Sequence, residues 1–455
     1  MIFARDNEIK ALNKLYSKNI SEAVVFYGNS ENCISQIVKK FIIDKDFFYY
    51  DAAPVDANAQ LKLFYNSISD LISNKSIPEI SYHSIIQTML EVKCEKRVIV
   101  INNFQNMVKS SLDFIREVIS CIHDKWSNQP VLFLFICENP YWVENQMAVK
   151  LEDYAFELSG LIKVNDLKFI DFVRYFANYN LNDLVTVYSI IGGRNNYLKE
   201  WDPKISVKAN IEKSILSKDS YLYNKGLHIL PDELREHIVY NTILMTIASG
   251  KEKLNDIHKE TGYSRAKISV YLKNLYDFDL IEKIDSFDSA GRENAQKGIY
   301  RIKDRYVSFY FKYIMPHISE IDYISSEKYY KKYIEPDLME YSSDAFRTVC
   351  VEYLSLLNRM NKLPFSFNDF ERWVGKVGTI DIVAEDNKGN NLIGLCNFQN
   401  EFMTYEDYEW LIFCVKQAKL SDDVVYLFSG TDFDDNLKAY AKENSNIYLI
   451  DSRML

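Results

Sequence analysis

Four apolar runs constrain the first third of this chain: residues 23–27, 47–50, 97–101 and 131–136. They end at Gly28, Asp51, Asn102-Asn103 and Cys137, and helix-length segments such as 59–74 and 111–123 lie between them. Short runs without polar alternation fit strands covered on both faces. Strands alternating with helices predict a parallel sheet between two helical layers. The ligand crevice of such a sheet lies beyond the carboxyl ends of its strands. Residues 1–20, with Ile9, Leu12 and Leu15 or Tyr16 at helical spacing, add an amphipathic helix ahead of it.

The loop after the first run, Gly28-Asn29-Ser30-Glu31-Asn32-Cys33-Ile34-Ser35, opens a helix that reaches Phe41. A phosphate-binding loop, G-x-x-x-x-G-K-[ST], would occupy this place. Gly28 fills the first glycine and Ser35 the last hydroxyl; Cys33 replaces the second glycine and Ile34 the lysine. A charge-assisted hydrogen bond contributes roughly 1.5–3 kcal/mol. Losing the lysine alone therefore weakens nucleotide binding about 10- to 100-fold. Cys33 also adds a side chain where backbone must approach phosphate. At the end of the third run, a hydrolysing enzyme of this kind carries two acids, one for Mg²⁺ and one for the attacking water. Asn102 keeps a weak neutral oxygen, and Asn103 cannot accept a proton near neutral pH. Taken alone, both asparagines read as ordinary turn residues; the loop upstream makes a relic the better account.

Composition narrows the class. A chain of 455 residues predicts two to four domains, and a net charge of −10 argues against general coating of nucleic acid. Seven cysteines are scattered without a C-x-x-C pair or partnering histidine, which speaks against zinc and a disulfide framework. No signal peptide or membrane-length apolar run is read. The expectation is a cytoplasmic protein with no membrane partner.

Phe3/Arg5/Glu8, Phe26-Tyr27-Gly28 and 98–103 followed by Phe104-Gln105 resemble, in that order, the archaeal-type ATPase family, a branch of the AAA-like P-loop fold. The resemblance implies an ATPase-like core over residues 1–160. Its departures fall at Cys33, Ile34, Asn102 and Asn103, the chemically indispensable places. Residues 161–238 resemble the family's helical lid, with Gly192-Gly193 as a helix stop.

Residues 239–303 read as a winged helix. Two helices, 240–248 and 254–261, precede a third that starts after the N-cap Ser264, and strands 280–284 and 298–302 form the wing. With Ile268, Leu272 and Leu275 inward, Lys267, Ser269, Val270 and Lys273 face outward and Arg265 flanks them. Arg265, Lys267, Ser269 and Lys273 are candidate contacts to double-stranded DNA, joined by Arg292 and Lys297 in the wing. The bland alternative is a packing module with solvated lysines. Residues 304–340, rich in tyrosine and phenylalanine at helical spacing, read as core between domains.

Residues 341–455 resemble the PD-(D/E)xK nuclease-like domain attached to the same ATPases. That chemistry needs two carboxylates for Mg²⁺ and a lysine. Asp381 matches the first acid, but the partner strand reads Leu395-Cys396-Asn397, and Arg347 stands where the helix often adds an acid. Glu352 and Glu385 are the nearest substitutes in sequence.

The expected fold class is α/β multidomain: a P-loop parallel-sheet core, a helical lid, a winged helix-turn-helix and a restriction-endonuclease-like C-terminal domain. The degenerate nucleotide site comprises Gly28, Asn32, Cys33, Ile34, Ser35, Asn102 and Asn103. Asp381, Leu395 and Asn397 form the nuclease remnant. No catalytic residue, metal or cofactor is expected. The leading function is a silent scaffold that binds DNA or protein. One alternative keeps weak Mg-ATP binding with slow or partner-completed hydrolysis; another is a structural subunit paired with an intact paralogue.

Overall fold

The computed structural model describes residues 4–68, 79–91, 94–124, 129–176, 178–231, 234–289, 298–399 and 401–455. Phe3, Asp232, Arg292, Lys297 and the end of the 59–74 segment lie outside these residues. The chain divides into two compact units, Met1–Asp166 with Arg194–Asn196, and Leu167–Gly193 with Tyr197–Leu455.

The first unit is built on a five-stranded parallel sheet of β1 (Glu22–Gly28), β2 (Phe47–Asp51), β3 (Arg97–Asn102), β4 (Val131–Cys137) and β5 (Gly160–Val164), in the order β2-β3-β4-β1-β5. Strict alternation sends Val25, Ile101 and Phe135 into one apolar layer and Val24, Val100 and Leu134 into the other. Helices α1 (Asp6–Tyr16) and α2 (Ile34–Ile42) cover the second layer through Leu12, Ile34, Ile37, Val38 and Phe41. Only β5 escapes the apolar-run reading, because as an edge strand it leaves Leu161 and Lys163 exposed. The sheet therefore runs past residue 160, where the sequence reading ended the core.

The chain doubles back around β1: β2 is reached past β4 and β3 on one side, and β5 lies on the other. This switch point opens the crevice at the carboxyl end of β1, beside the loop that follows it.

In the second unit, helix α3 (Leu181–Ile191) ends at Gly192, which caps it at φ +59°. A Cβ on Gly193 would lie 2.0 Å from the Leu167 carbonyl oxygen, so only glycine fits there. Three helices follow, α4 (His237–Ala248), α5 (Leu254–Thr261) and α6 (Arg265–Asp277), then an antiparallel pair, β6 (Ile281–Asp285) and β7 (Gly298–Ile302). This is the element order of a winged helix. Gly262, at φ +70°, closes α5, and the Ser264 hydroxyl accepts the Lys267 N–H to start α6.

The aromatic segment is core: Tyr306, Phe309, Tyr310, Phe311 and Tyr313 are buried. The long helix α7 (Leu338–Arg359) begins seven residues before the expected 345. After it comes a mixed sheet of β8 (Glu371–Val374), β9 (Thr379–Glu385), β10 (Asn391–Asn397), β11 (Val424–Ser429) and β12 (Ile447–Asp451), with α8 (Tyr405–Ala418) between β10 and β11. The β8-β9-β10 pairings are antiparallel and β10-β11-β12 parallel, and the expected hairpin turn falls at Asp386–Gly389. No helix among the described residues is long and apolar enough to cross a membrane.

Candidate functional site

The loop after β1 is held by its own hydrogen bonds. Asn29 Oδ1 accepts the Glu31 N–H at 3.0 Å, the Asn29 carbonyl accepts Asn32 N–H at 2.9 Å, and the Ser30 carbonyl accepts Cys33 N–H at 3.2 Å. Three amides of the loop are thus bound within a single short 3₁₀ turn, Ser30–Asn32. Cys33 then adopts the left-handed conformation, φ 58° and ψ 38°, that the motif's glycine reaches without a Cβ penalty. Its Sγ lies 2.8 Å from Asn196 Oδ1. Gly28 is required by close approach: a Cβ there would meet the Val164 carbonyl oxygen at 2.5 Å.

Ile34, in place of the lysine, is fully buried. It joins the Val24, Phe26 and Val164 cluster, and its Cδ1 comes within 3.2 Å of the Cβ position of Gly28. The side chain is core rather than the wall of an open phosphate pocket. Ser35, the hydroxyl that would meet Mg²⁺, donates instead to Glu138 Oε1 at 2.8 Å.

Asn32, 1% exposed, belongs to a buried polar network. Its amide donates to Asp166 Oδ1 at 2.8 Å and accepts from Arg5 Nη2 at 3.0 Å. Arg5 also reaches Asn195 Oδ1 at 2.9 Å, Glu8 at 3.0 Å and the Asn165 carbonyl at 2.6 Å. Arg194 pairs with Asp166 at 3.2 Å. Burial works against an ionised Asp166, but Arg194, the Asn32 amide and Arg5 outweigh it and hold the carboxyl below its ordinary range.

At the strand ends, Asn102 and Asn103 both donate to Asp51 Oδ1, at 3.0 and 2.7 Å. The structure therefore brings both asparagines onto a carboxylate that the sequence reading passed over as a strand terminus. Glu138 was passed over in the same way. Both follow apolar runs at the carboxyl edge of a parallel sheet, and that position alone was a usable signal. The Tyr49 hydroxyl is pushed up to about 12 by burial and by the Asp51 and Glu138 charges.

On α6, Arg265, Ala266, Ser269, Val270 and Lys273 form an exposed stripe. Lys267 departs from the expected outward course. Its ammonium lies 4.7 Å from the Tyr263 ring centroid and 5.5 Å from that of Tyr271. Arg265 Nε donates to Asn255 Oδ1 at 2.8 Å.

In the mixed-sheet region, Asp381 is claimed by other groups. Its Oδ2 accepts the Cys396 N–H at 3.0 Å, its Oδ1 faces Arg372 at 3.4 Å, and its carbonyl accepts from Arg347 Nε at 2.6 Å. Arg372 also faces Asp344 at 3.6 Å; Arg301 pairs with Asp344 and with Glu252, and Arg305 lies 3.9 Å away. These arginines override burial and hold the Asp344 carboxyl far below the usual carboxylate range. Leu395 packs against the domain core, and the Asn397 side-chain oxygen is buried without a partner. Neither expected substitute joins Asp381. Glu352 accepts the Phe169 and Ile170 N–H groups, and Glu385 lies beside Asn391 at 3.4 Å. A hard cation at Asp381 would meet guanidinium groups instead of a second carboxylate, so this donor set does not fit Mg²⁺. Among the described residues no three His, Cys, Asp or Glu side chains gather as metal ligands.

Residues 310–409 match a family model, DUF234, described as archaeal and bacterial proteins of unknown function. An uncharacterized protein of Methanocaldococcus jannaschii is 27% identical over 387 residues, covering 84% of each chain. Among solved structures, the Walker-type ATPase of Pyrococcus abyssi is 14% identical, covering 68% of this chain and 96% of that one, with a TM-score of 0.49. The ORC2 protein of Aeropyrum pernix, solved with ADPNP and ADP, is 13% identical over 71% of this chain and 94% of its own, with a TM-score of 0.41. The strand order and the loop after β1 define the architecture on their own. The chain has an α/β architecture: a five-stranded parallel-sheet core with helices, followed by a mixed-sheet C-terminal region.

Proposed function

We propose that this chain is a nucleotide-silent member of the ATPase-like fold, acting as a scaffold whose α6 face contacts double-stranded DNA. The observation that carries the silent reading is the consumption of the Glu31, Asn32 and Cys33 amides inside the loop. A phosphate cradle depends on such amides pointing at the ligand. With Ile34 buried in the core and Glu138 bound to Ser35, triphosphate would meet a carboxylate and no lysine. Mg-ATP does not fit these residues. The Asp381–Arg372 pairing supports the same reading for the nuclease-like region.

For DNA, the exposed Arg265, Ser269 and Lys273 support backbone contact on α6. Equilibrium titration of the purified chain with ATP and ADP, with and without Mg²⁺, tests the silent reading. No binding at millimolar nucleotide is expected; micromolar binding would replace it with the weak-ATPase alternative. Duplex binding should weaken steeply with salt and fall when Arg265 and Lys273 become alanine. If duplex is ignored while a P-loop-intact relative co-purifies, the chain is a structural subunit instead.

A further inference from the structure

Two cysteines far apart in the sequence meet where α7 packs on the mixed sheet. Phe346 of α7 stacks on Phe398, just past β10, with ring centroids 5.0 Å apart. The next residue, Arg347, donates to the Asp381 carbonyl, and the Asp381 carboxylate accepts the Cys396 N–H. These contacts lay the Phe346 turn of α7 across β9 and β10. Ile393 and Leu395 face the α8 side of the sheet, so Cys396, between them and Phe398 in alternation, faces α7.

The spacing then brings two sulfurs together. Cys350 lies one turn beyond Phe346, about 5.4 Å along the helix axis. Cys396 lies two residues before Phe398, about 6.6 Å along the strand. Similar advances from a stacked pair of rings set the next two side chains opposite each other, and the Cys350 thiol is hydrogen-bonded to Cys396. Both are free thiols. They differ in access: Cys350 is fully buried and Cys396 half-buried. Burial first, and the contact with Cys396 next, push the Cys350 thiol well above its ordinary value, so it keeps its proton near neutral pH.

We propose that Cys396 and Cys350 form a reversible thiol–disulfide pair, oxidised by a peroxide and reduced by a dithiol, that ties α7 to β10. Cys396, the reachable sulfur, attacks one oxygen of hydrogen peroxide. The O–O bond breaks, the departing hydroxide leaves as water with the Cys396 proton, and Cys396 becomes a sulfenic acid. The Cys350 sulfur then attacks the Cys396 sulfur. The S–S bond forms, the S–O bond breaks, and the leaving hydroxide takes the Cys350 proton as a second water. Two thiols have lost two electrons and two protons, and one peroxide has become two waters. A dithiol reverses the bond by two exchange steps and is itself left as a disulfide. The link closes residues 350–396, with β9 and β10, into one covalent loop, which restricts the unfolded chain.

The test is titration of the reduced full chain with hydrogen peroxide, then alkylation in denaturant and peptide mass mapping without reductant. A linked Cys350–Cys396 peptide is expected near one equivalent of peroxide, and dithiothreitol should remove it. In Cys350→Ala the oxidised Cys396 has no partner, so dimedone should label it about tenfold more than in wild type. In Cys396→Ala the buried Cys350 should remain alkylatable after the same dose. Cys414→Ala, which removes a buried cysteine of α8, should leave the link unchanged. The wild-type map decides the pairing even where a variant fails to fold. Sulfenic or sulfinic acid at Cys396 with Cys350 still free overturns the proposal. A link from either residue to another cysteine, or one that forms only in denaturant, overturns it as well.

Discussion

Restoring the motif lysine should damage this protein rather than revive it. Ile34 is fully buried against Val24, Phe26 and Val164. Truncating a buried isoleucine to alanine costs about 2–5 kcal/mol. In Ile34→Lys the side-chain methylenes recover part of that packing. The ammonium, however, enters an apolar layer whose desolvation penalty is several kcal/mol per ion. The lysine can escape only by leaving the layer, which reopens the cavity. The net expectation is a loss of about 3–5 kcal/mol, a large share of the roughly 5–15 kcal/mol that holds a typical domain. Nucleotide binding should not appear, because one new hydrogen bond of about 1.5–3 kcal/mol does not release the Glu31, Asn32 and Cys33 amides. Hydrogen exchange read on peptides of β1 and β4, in parallel for wild type, Ile34→Ala and Ile34→Lys, measures the stability change, and calorimetry with Mg-ATP measures binding. Wild-type protection together with micromolar ATP affinity in Ile34→Lys would refute the reasoning about the loop.

Three further predictions follow from the buried polar groups and the close backbone contacts. Arg5→Met leaves Asn32, Asn195 and the Asn165 carbonyl without their shared donor and should cost about 3–5 kcal/mol, with Arg5→Lys recovering less than half because an ammonium lacks the guanidinium fork; urea midpoints compare the three. Asp344→Asn should destabilise by about 1–2 kcal/mol at pH 7, discounted because the side chain is 33% exposed. Its folded-state carboxyl lies below the unfolded value, so its contribution is full above about pH 4 and is lost as pH falls through the folded value. The gap between wild type and variant, followed by thermal melts from pH 7 to pH 3, should therefore narrow only on strong acidification. Gly193→Ala should fail to give folded protein or lower its melting temperature sharply, since a Cβ 2.0 Å from the Leu167 carbonyl forces the backbone apart; circular dichroism on heating decides it.

Local chemistry made much of the architecture legible in the sequence. The four apolar runs became four strands; three of them are buried on both faces, where polar alternation is not tolerated, and the fourth, β2, lies at the sheet edge. Ser264 and Gly262 set the limits of their helices through a side-chain cap and a left-handed residue, both local effects. The absence of the motif lysine and of acids at the end of β3 was equally plain. What the sequence could not express was which distant partners the polar groups of the loop and the strand ends meet. Asn102 meets Asp51 from 51 residues away, Asp166 meets Asn32 across 134, and Ser35 finds Glu138 across 103. Each pairing depends on strand order and on parity about the sheet, quantities fixed only when β1 inserts between β4 and β5. Lys267 shows the same limit on a smaller scale: helical spacing sent it outward, and two tyrosine rings drew it back. Sequence alone determined the elements and which residue types stand in the loop and at the strand ends. The tertiary structure decided which partners those residues meet, because hydrogen-bond partners and electrostatic neighbours are set by distance in space and not along the chain.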